Sequence, residues 1–267
     1  MAAENPQYPG LSGWVSNGKN CDGSPKAKVT MIDPLGNETV VMRPCFDHPT
    51  LIDLLNAKGV SWRYYDALNL GYWSAPDAIK HLRYGSAWSN VVMPETTILS
   101  DISSGKLAQV SWVNPTCAES DHASCNKGTG PAWVASVVNA VGKSKYWNST
   151  AIFITWDDWG GWFDHVKPPV RSSYELGFRV PLIVISPYAK LGYVSHVQHE
   201  QSSILRFVED NFKLGTLGYA DSLSDDLSDC FNFYGPPAKF VYIPTPGWRM
   251  AEIINHPPTT EPADDDF

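Results

Sequence analysis

The sequence predicts an α/β fold: a layered, mostly parallel sheet flanked by helices. Helical segments alternate with strand-like runs along the chain, and two of those runs, 150–156 and 180–186, are almost continuously apolar. Such runs are typical of strands buried on both faces, as in a parallel sheet covered by helices. With 267 residues, 43% of them hydrophobic and 18% charged, the chain is long enough for one large α/β domain or two small ones.

The first elements are two β-rich runs, 28–33 and 38–42, separated by Pro34-Leu35-Gly36-Asn37. Because Pro, Gly and Asn favour tight turns, this segment predicts a β-hairpin. A helix follows, which Asp47 is expected to cap and Gly59 to end.

The order of helix and then strand recurs further along the chain. A strand is expected at 60–67, a helix at 94–105 and a strand at 107–113. An apolar face predicts a helix at 130–141, before the run at 150–156, and an amphipathic pattern predicts a last helix at 203–212. We assign residues 1–235 to this domain and the Pro-rich, acidic residues 236–267 to a surface tail.

Charge and hydropathy exclude several classes of function. The net charge of −8 and a sequence pI near 5.3 argue against a nucleic-acid partner, since proteins that bind nucleic acids carry basic patches. No apolar run is long enough to span a bilayer. The start, MAAENPQYPG, lacks the basic and apolar parts of a signal peptide. We therefore expect a cytoplasmic protein or one whose export signal is absent.

The five cysteines contain no C-x-x-C pair, which argues against a zinc site built on that motif. Cys21 and Cys45 flank one polar excursion, and Cys117 and Cys125 flank another. Two patterns are open: two loop-closing disulfides with Cys230 left over, or five free thiols. Disulfides would indicate an oxidising compartment.

The segment TAIFITWDDWGGWFDHV (150–166) carries the strongest chemical signal. An apolar strand ends in Asp157-Asp158, and adjacent carboxylates repel each other unless a positive charge compensates them. A divalent cation is the simplest compensator, and oxygen ligands suit Mg²⁺, Ca²⁺ or Mn²⁺, with zinc and iron not excluded. Gly160-Gly161 would allow close approach of the backbone to a ligand. The alternative is a solvated acidic turn.

Histidines supply two further signals. Asp121-His122 follows the strand ending at Val113, where a histidine could hold a phosphate oxygen or protonate a leaving group, although a surface histidine is the simpler interpretation. His196-Val-Gln-His199-Glu200 differs from the zinc-protease pattern H-E-x-x-H, and no third ligand is placed by spacing. A role at the entry of the last helix, or in supporting ligand residues, is favoured there.

Together these segments resemble a known family. IFITWDDWGGWFDHV looks like the aspartate-bearing motif of the bacterial phosphoesterases that include phospholipases C and acid phosphatases. Six further segments match in order: CDGSP at 21–25, CFDHPTLIDLL at 45–55, SWRYY at 61–65, VSWVNPTCAESDH at 110–122, GPAWVASVVNAV at 130–141 and GFRVPLIVISPYAK at 177–190.

The resemblance implies an alkaline-phosphatase-like fold that hydrolyses phosphate esters, phospholipids among them, at a metal centre. It implies a divalent metal cofactor with Asp157 and Asp158 as ligands, and it places His122 at the phosphate as a hydrogen-bond donor or acid. His165 matches a family position and is grouped with the catalytic residues without a defined role. A secreted or periplasmic location is implied as well.

One part of the family pattern has no counterpart. The family carries an N-terminal E-N-x-x-F-D motif, whose Glu and Asn bind the metal, and a Ser or Thr nucleophile further on. Here Glu4-Asn5 is followed by Pro-Gln-Tyr, and the matched region starts near Gly13. The chain is therefore expected to correspond to the C-terminal portion of the domain and to lack its N-terminal part. Little turnover is expected, and an exposed sheet edge would favour self-association.

The leading hypothesis is thus a metal-dependent phosphoric-ester hydrolase by descent. Its rival is a non-catalytic remnant, or a metal- or ligand-binding module of the same fold. A third hypothesis, a carbohydrate-binding protein, rests on the eleven Trp residues and requires exposed, coplanar Trp side chains on one face.

Overall fold

The computed structural model describes residues 20–33, 35–67, 74–122, 128–173 and 175–244. The chain divides into two compact units, which are described one at a time. Unit 1 comprises Met1–Thr97, Ala108–Asn114 and Thr155–Pro181, and unit 2 comprises Ile98–Leu107, Pro115–Ile154 and Leu182–Phe267. Both contain helices and strands, so the α/β class is confirmed.

Unit 1 begins with the predicted hairpin. Strands β1 (Val29–Ile32) and β2 (Glu38–Met42) pair antiparallel, with Val29 opposite Met42. The turn is held by Asp33, whose Oδ1 accepts hydrogen bonds from the backbone N–H groups of Leu35 (2.9 Å) and Asn37 (2.8 Å). The aspartate side chain thus takes over the donors that a tight turn leaves without backbone partners.

The N-cap of helix α1 (Leu51–Ala57) lies three residues later than predicted. The Asp53 carboxylate accepts hydrogen bonds from the N–H (2.7 Å) and the hydroxyl (2.9 Å) of Thr50, which is the N-cap. Asp47 instead contacts Nδ1 of His81 at 2.6 Å, so the prediction of Asp47 as the cap is wrong. Sequence alone does not separate the two, because Asp and Thr are both good N-caps. Gly59, at φ 65°, ends the helix as predicted.

The centre of unit 1 is a parallel three-stranded sheet. Strand β3 (Trp62–Tyr65) lies between β4 (Val91–Val92) and β5 (Val110–Val113), and both pairings are parallel. Trp62 and Tyr65 are buried, which anchors the middle strand in the core. The short helix α2 (Lys80–Arg83) and strand β4 have no counterpart among the predicted elements, since two to four residues are too few to show a period.

Helix α3 (Thr97–Ser103) lies within the predicted segment 94–105. The prediction for the two apolar runs is only partly correct. Strands β6 (Ile152–Thr155) and β7 (Leu182–Ile185) exist, but they form a sheet of their own with two strands. Ile183 is 48% exposed, so the expectation of burial on both faces is wrong. An apolar run indicates that one face is covered but does not fix how many neighbours a strand has.

The core of unit 2 packs against one face of this small sheet. Leu227, Cys230 and Phe231 form its buried centre. The partly buried side chains around them come from the sheet, the following turn, and helix α5 (Gln201–Phe212): Ala151, Phe153, Leu182, Val184, Tyr188, Ile204 and Phe207. The apolar face predicted for 203–212 is therefore the face that α5 buries.

Helix α4 (Gly130–Gly142) carries the first part of the predicted tail. Asn139 Nδ2 donates to the carbonyl of Ile243 (2.8 Å), and the Ile243 N–H donates back to Asn139 Oδ1 (2.9 Å). The indole of Trp147 donates to the carbonyl of Ala238 at 2.8 Å. Residues 238–243 are thus bound to α4 and the turn that follows it. Residues 245–267 lie outside the described part of the chain.

No helix in the described ranges has both the length and the apolar character needed to cross a bilayer.

Candidate functional site

Asp157 and Asp158 lie in unit 1, one residue after the end of strand β6. Both side chains are exposed, and Asp158 Oδ1 accepts a hydrogen bond from the Gly160 N–H at 2.6 Å. Gly160 and Gly161 both have positive φ (65° and 78°), a backbone conformation that favours glycine. Strand β6 has only β7 beside it in the described residues, so it is not a central strand.

The third carboxylate of this loop, Asp164, is committed to Arg179. The guanidinium Nε donates to Asp164 Oδ2 and Nη2 donates to Oδ1, both at 2.8 Å. The Val166 N–H donates to the same carboxylate at 3.0 Å. These hydrogen bonds, that of Arg179 first, hold the pKa of Asp164 well below its usual range. The pair thus closes the segment between Asp164 and Arg179, which follows Asp157 and Asp158 in the chain.

His165 lies beside this ion pair. Its Nδ1 is 4.0 Å from Asp164 Oδ1, and about half of its side chain is exposed (47%). It shares unit 1 with Asp157 and Asp158. An exposed imidazole near a charged pair is accessible to a ligand, but its contacts define no specific role.

His122 belongs to unit 2, at the edge of a described stretch. Its side chain is exposed, and its backbone N–H donates to Ser120 Oγ at 3.2 Å. The preceding residue, Asp121, adopts φ 61° and lies over the start of α4, where a Cβ on Gly130 would be 2.3 Å from Asp121 Oδ1. Burial raises the pKa of Asp121. The loop before His122 thus packs closely on α4.

The structure describes one of the two predicted disulfides in full and one cysteine of the other. Cys21 and Cys45 are bonded to each other, and Cys117 is also disulfide-bonded. Cys230 is a free, buried thiol, as the first of the two cysteine patterns predicts. Cys125 lies outside the described residues, as do Glu4 and Asn5.

A second polar cluster lies in unit 2 around His199. Its Nδ1 is 2.5 Å from Asp225 Oδ1, and its Nε2 is 2.8 Å from Ser195 Oγ and 3.5 Å from Asp229 Oδ1. The Cys230 thiol is 3.6 Å from the same Asp229 oxygen. His199, Asp229 and Cys230 form a group that could hold a metal ion; we call it the His199 cluster.

The arrangement around His199 differs from a hydrolytic triad. The Ser195 hydroxyl donates to Asp229 Oδ2 at 2.6 Å, and its oxygen accepts the Val197 N–H at 3.1 Å. Its proton is therefore directed to a carboxylate rather than to His199, whereas a nucleophilic serine gives its proton to the histidine. The serine supports the cluster and is not placed as a nucleophile.

Opposing effects set the ionisation of the cluster. Partial burial works to raise the pKa of Asp229, but hydrogen bonds from Ser195 and Tyr193, together with nearby His199, lower it overall. Burial, and then the Asp229 charge, raises the pKa of the Cys230 thiol to about 11. Without a cation the cluster therefore holds a carboxylate beside a neutral thiol.

The sequence signal for this cluster was incomplete rather than absent. The motif H-x-x-H-E supplies His199, but its partners lie 26 to 31 residues further on, in 225–230, and only folding brings them together. The role predicted for the motif at the helix entry is confirmed for Glu200, which is the N-cap of α5 and whose N–H donates to Ser203 Oγ at 3.1 Å.

Comparison with known proteins identifies the family. The model of the phosphoesterase family matches residues 7–215 of the chain. This chain belongs to the phosphoesterase family. The match spans both units and includes Asp157, Asp158, His122 and His165.

Similar proteins include several named phospholipases C. The chain is 29% identical to the non-hemolytic phospholipase C of Burkholderia pseudomallei, over 59% of this chain and 27% of that protein. It is 26% identical to phospholipase C B of Mycobacterium tuberculosis, over 85% of this chain and 50% of that protein. The chain is 25% identical to the non-specific phospholipase C6 of Arabidopsis thaliana, over 72% of this chain and 42% of that protein. The chain thus spans half or less of each relative.

Proposed function

We propose that this phosphoesterase-family chain carries the metal-binding carboxylates of a metal-dependent phosphoric-ester hydrolase of the phospholipase C or acid phosphatase type. The observation that carries the proposal is Asp157-Asp158, which follows β6 at the start of an exposed glycine-containing loop within the region that matches the family. An alkaline-phosphatase-like fold is part of the same proposal.

The donor set of the loop fits a hard divalent cation. Asp157 and Asp158 offer exposed carboxylate oxygens, which are the ligands that Mg²⁺, Ca²⁺ and Mn²⁺ prefer. Asp164 is held by Arg179 and is not assigned as a ligand. When bound, the cation would neutralise charge on the phosphate oxygens. The aspartates hold the cation, and the Asp164–Arg179 pair fixes the path of the chain that follows them.

In this proposal His122 and His165 are the catalytic histidines. His122 donates a hydrogen bond to a phosphate oxygen or a proton to the leaving group, which is a role for a histidine exposed to substrate. His165 is exposed near the aspartates in sequence, and its role is left open. No residue of the described part is assigned as the nucleophile.

Exposed aromatic side chains next to the acidic pair support a substrate with an apolar part. Trp159 and Trp162 are 44% and 77% exposed, and Phe163 is 90% exposed. Together with the relatives named phospholipase C, this supports phospholipids as one substrate class. The Cys21–Cys45 disulfide supports a secreted or periplasmic location. Self-association is also proposed, supported by the exposed Val40 and Val41 of the hairpin.

A phosphate-binding assay with a parallel activity assay tests the proposal. Binding of inorganic phosphate is measured by calorimetry with and without Mg²⁺, Mn²⁺ or Ca²⁺, in the wild type, Asp157→Asn and His122→Ala. The proposal expects binding that requires the cation, is lost in Asp157→Asn and is weakened in His122→Ala. Phosphate binding that does not depend on a cation, or that Asp157→Asn leaves unchanged, would contradict it.

The parallel assay separates a hydrolase from its rival, a non-catalytic module of the same fold. Hydrolysis of p-nitrophenyl phosphate and p-nitrophenyl phosphocholine is measured with the same cations. Cation-dependent turnover that Asp157→Asn lowers by orders of magnitude supports the hydrolase. Cation-dependent phosphate binding without any turnover of either ester supports the non-catalytic module.

A further inference from the structure

The His199 cluster brings three different kinds of metal ligand to one place in unit 2. The imidazole Nε2 of His199, a carboxylate oxygen of Asp229 and the Sγ of Cys230 all lie within 4.8 Å of one another. We propose that this cluster binds a transition metal ion of the zinc type. The site shares no residue with the aspartate pair to which the phosphate chemistry is assigned.

Two of the three distances within the cluster match the edges of a tetrahedral zinc site. With usual zinc bond lengths, a nitrogen and an oxygen ligand lie about 3.4 Å apart and a sulfur and an oxygen ligand about 3.6 Å apart. The observed separations are 3.5 Å from His199 Nε2 to Asp229 Oδ1 and 3.6 Å from Cys230 Sγ to the same oxygen. The third pair, His199 Nε2 and Cys230 Sγ, lies within 4.8 Å, whereas a zinc site needs about 3.6 Å, so ion binding would close it by at most about 1.2 Å.

Asp225 orients the imidazole for this role. Its Oδ1 lies 2.5 Å from His199 Nδ1, and its Oδ2 accepts the backbone N–H of Leu227 at 3.0 Å. Histidines that bind metals commonly donate their other ring N–H to a carboxylate, which fixes the ring and makes the ligating nitrogen more basic. The Nε2 atom of His199 is therefore held between Ser195 Oγ (2.8 Å), which an ion would displace as its partner, and Asp229 Oδ1 (3.5 Å).

The two oxygens of Asp229 are divided between support and ligation. Oδ2 accepts hydrogen bonds from the hydroxyls of Ser195 (2.6 Å) and Tyr193 (3.0 Å). Oδ1 is the atom that faces both His199 Nε2 and Cys230 Sγ. A carboxylate fixed through one oxygen presents the other with little loss of side-chain entropy when an ion binds.

Cys230 is held in place by the core of unit 2. The residue is 8% exposed and packs with Leu227 and Phe231, and its carbonyl accepts the Lys190 N–H at 2.9 Å. A bound ion would supply the positive charge that stabilises a Cys230 thiolate in these apolar surroundings. The side chains of His199 and Asp229 keep 15% and 21% exposure, which leaves a route for the ion.

The donor set selects the type of metal. A thiolate and an imidazole are ligands for zinc and similar transition metals, whereas Mg²⁺ and Ca²⁺ require oxygen ligands. Three protein ligands leave one coordination position for water or another small ligand. The ion would also connect the residue that precedes the α5 cap with the 225–230 segment, so its binding should stabilise unit 2.

Cobalt spectroscopy on the whole chain tests the proposal, because a thiolate bound to Co²⁺ gives a charge-transfer absorption that oxygen ligands do not give. We expect this absorption in the wild type, its displacement by Zn²⁺, and its loss in Cys230→Ser. Asp225→Asn should lower the affinity for zinc about 10- to 100-fold. Asp226→Asn is the matched control. It removes the same charge from the same loop, but the Asp226 carboxylate accepts a hydrogen bond from the Ser228 N–H and not from His199.

Two further variants keep every outcome decisive. If Cys230→Ser does not fold by circular dichroism, Asp229→Asn takes its place and should weaken zinc binding by more than Asp225→Asn does. Asp157→Asn should leave the cobalt absorption intact even if it abolishes phosphate binding, so the two proposals can fail separately. Cobalt bound without thiolate absorption, an absorption that survives in Cys230→Ser, or equal zinc affinities in Asp225→Asn and Asp226→Asn would each overturn the site.

Discussion

The guanidinium of Arg179 grips the carboxylate of Asp164 through two parallel hydrogen bonds of 2.8 Å each. The pair joins two positions 15 residues apart in the loop that follows the acidic pair. A bidentate arrangement of this kind is stronger and better defined than a single-contact ion pair. It removes Asp164 from the potential metal ligands and fixes the path of the chain after Asp157 and Asp158.

Removing Arg179 should therefore loosen this loop without unfolding the protein. In Arg179→Ala, the backbone amide of Val166, which donates to Asp164, should exchange its hydrogen about two- to fivefold faster, the range expected for an exposed ion pair. The measurement is hydrogen exchange followed by mass spectrometry of peptides covering 157–170. Lys167→Ala is the control, and equal exchange in both variants would show that the pair does not hold the loop.

The buried carboxyl of Glu209 should make the stability of the fold decrease as the pH rises. It is 1% exposed, and burial, followed by the nearby charge of Asp221, raises its pKa from 4.5 to about 7. Because the folded state holds the proton more tightly, this group stabilises the fold fully below about pH 4.5. That contribution disappears as the pH rises through about 7, which lowers the free energy of unfolding by at most about 3 kcal/mol.

Glu209→Gln should abolish this loss. The variant is expected to be more stable than the wild type at about pH 8, with a flatter profile between about pH 5 and 8. Urea unfolding followed by circular dichroism measures both. Asp210→Asn, the adjacent residue in α5, is the control. A Glu209→Gln variant with the pH slope of the wild type would show that Glu209 is not the titrating group.

Arg83 is expected to be essential for unit 1, because it compensates a fully buried acid. Its Nε lies 3.2 Å from Asp77 Oδ1 and donates to Asp22 Oδ1 at 2.8 Å. Burial, and then the charge of Asp22, raises the pKa of Asp77 to about 6. Arg83→Ala leaves this acid without its cation and should cost about 3–5 kcal/mol in free energy of unfolding.

Two comparisons isolate the charge effect of Arg83. Arg171→Ala breaks an ion pair with Glu175 and should cost less than about 1 kcal/mol. Asp77→Asn in the Arg83→Ala background should recover part of the loss, since the buried side chain at position 77 then carries no charge. Urea denaturation gives all three values, and a double variant no more stable than Arg83→Ala would refute the explanation.

Gly142 should be intolerant of a larger side chain because of Phe240. A Cβ at position 142 would lie 2.3 Å from the Phe240 ring. Gly142→Ala should therefore displace residues 238–243 from α4 and destabilise the chain by about 1–3 kcal/mol. In a Phe240→Ala background the same substitution should cost almost nothing. Thermal unfolding of the wild type, both single variants and the double variant gives this double-mutant cycle. If Gly142→Ala lowers the stability equally in both backgrounds, the clash with Phe240 is ruled out.

Much of the fold was predictable because local signals decide it. The hairpin follows from the turn at Pro34-Leu35-Gly36-Asn37, and α5 follows from its amphipathic period. The pairing of β6 with β7 in a sheet of their own was not predictable, since strand neighbours are set by tertiary contacts. For the same reason the prediction of Asp47 as the cap failed: its contact with His81, which leaves Thr50 as the N-cap, is a tertiary one.

The two candidate sites likewise differ in how far the sequence predicts them. Asp157 and Asp158 are adjacent in sequence, so a single motif and a family resemblance were enough to find them. The His199 cluster joins residues about 30 positions apart, and no short motif links them. Asp164 belongs to the acidic motif, yet its pairing with Arg179 depends on how the loop folds back. Spacing indicates which groups are available, and contacts show which of them are already used.

Binding of Mn²⁺ to the acidic pair tests the central claim most directly. Free Mn²⁺ is followed by electron paramagnetic resonance in the wild type, Asp157→Asn, Asp158→Asn and the charge-matched control Asp210→Asn, with Cys230→Ser to exclude the His199 cluster. The account predicts that each of the first two substitutions lowers the Mn²⁺ affinity about tenfold or more, because each removes a charged oxygen ligand. Asp210→Asn and Cys230→Ser should bind like the wild type. Equal affinity in all five proteins, or no binding by the wild type, would contradict the claim that Asp157 and Asp158 form a metal centre.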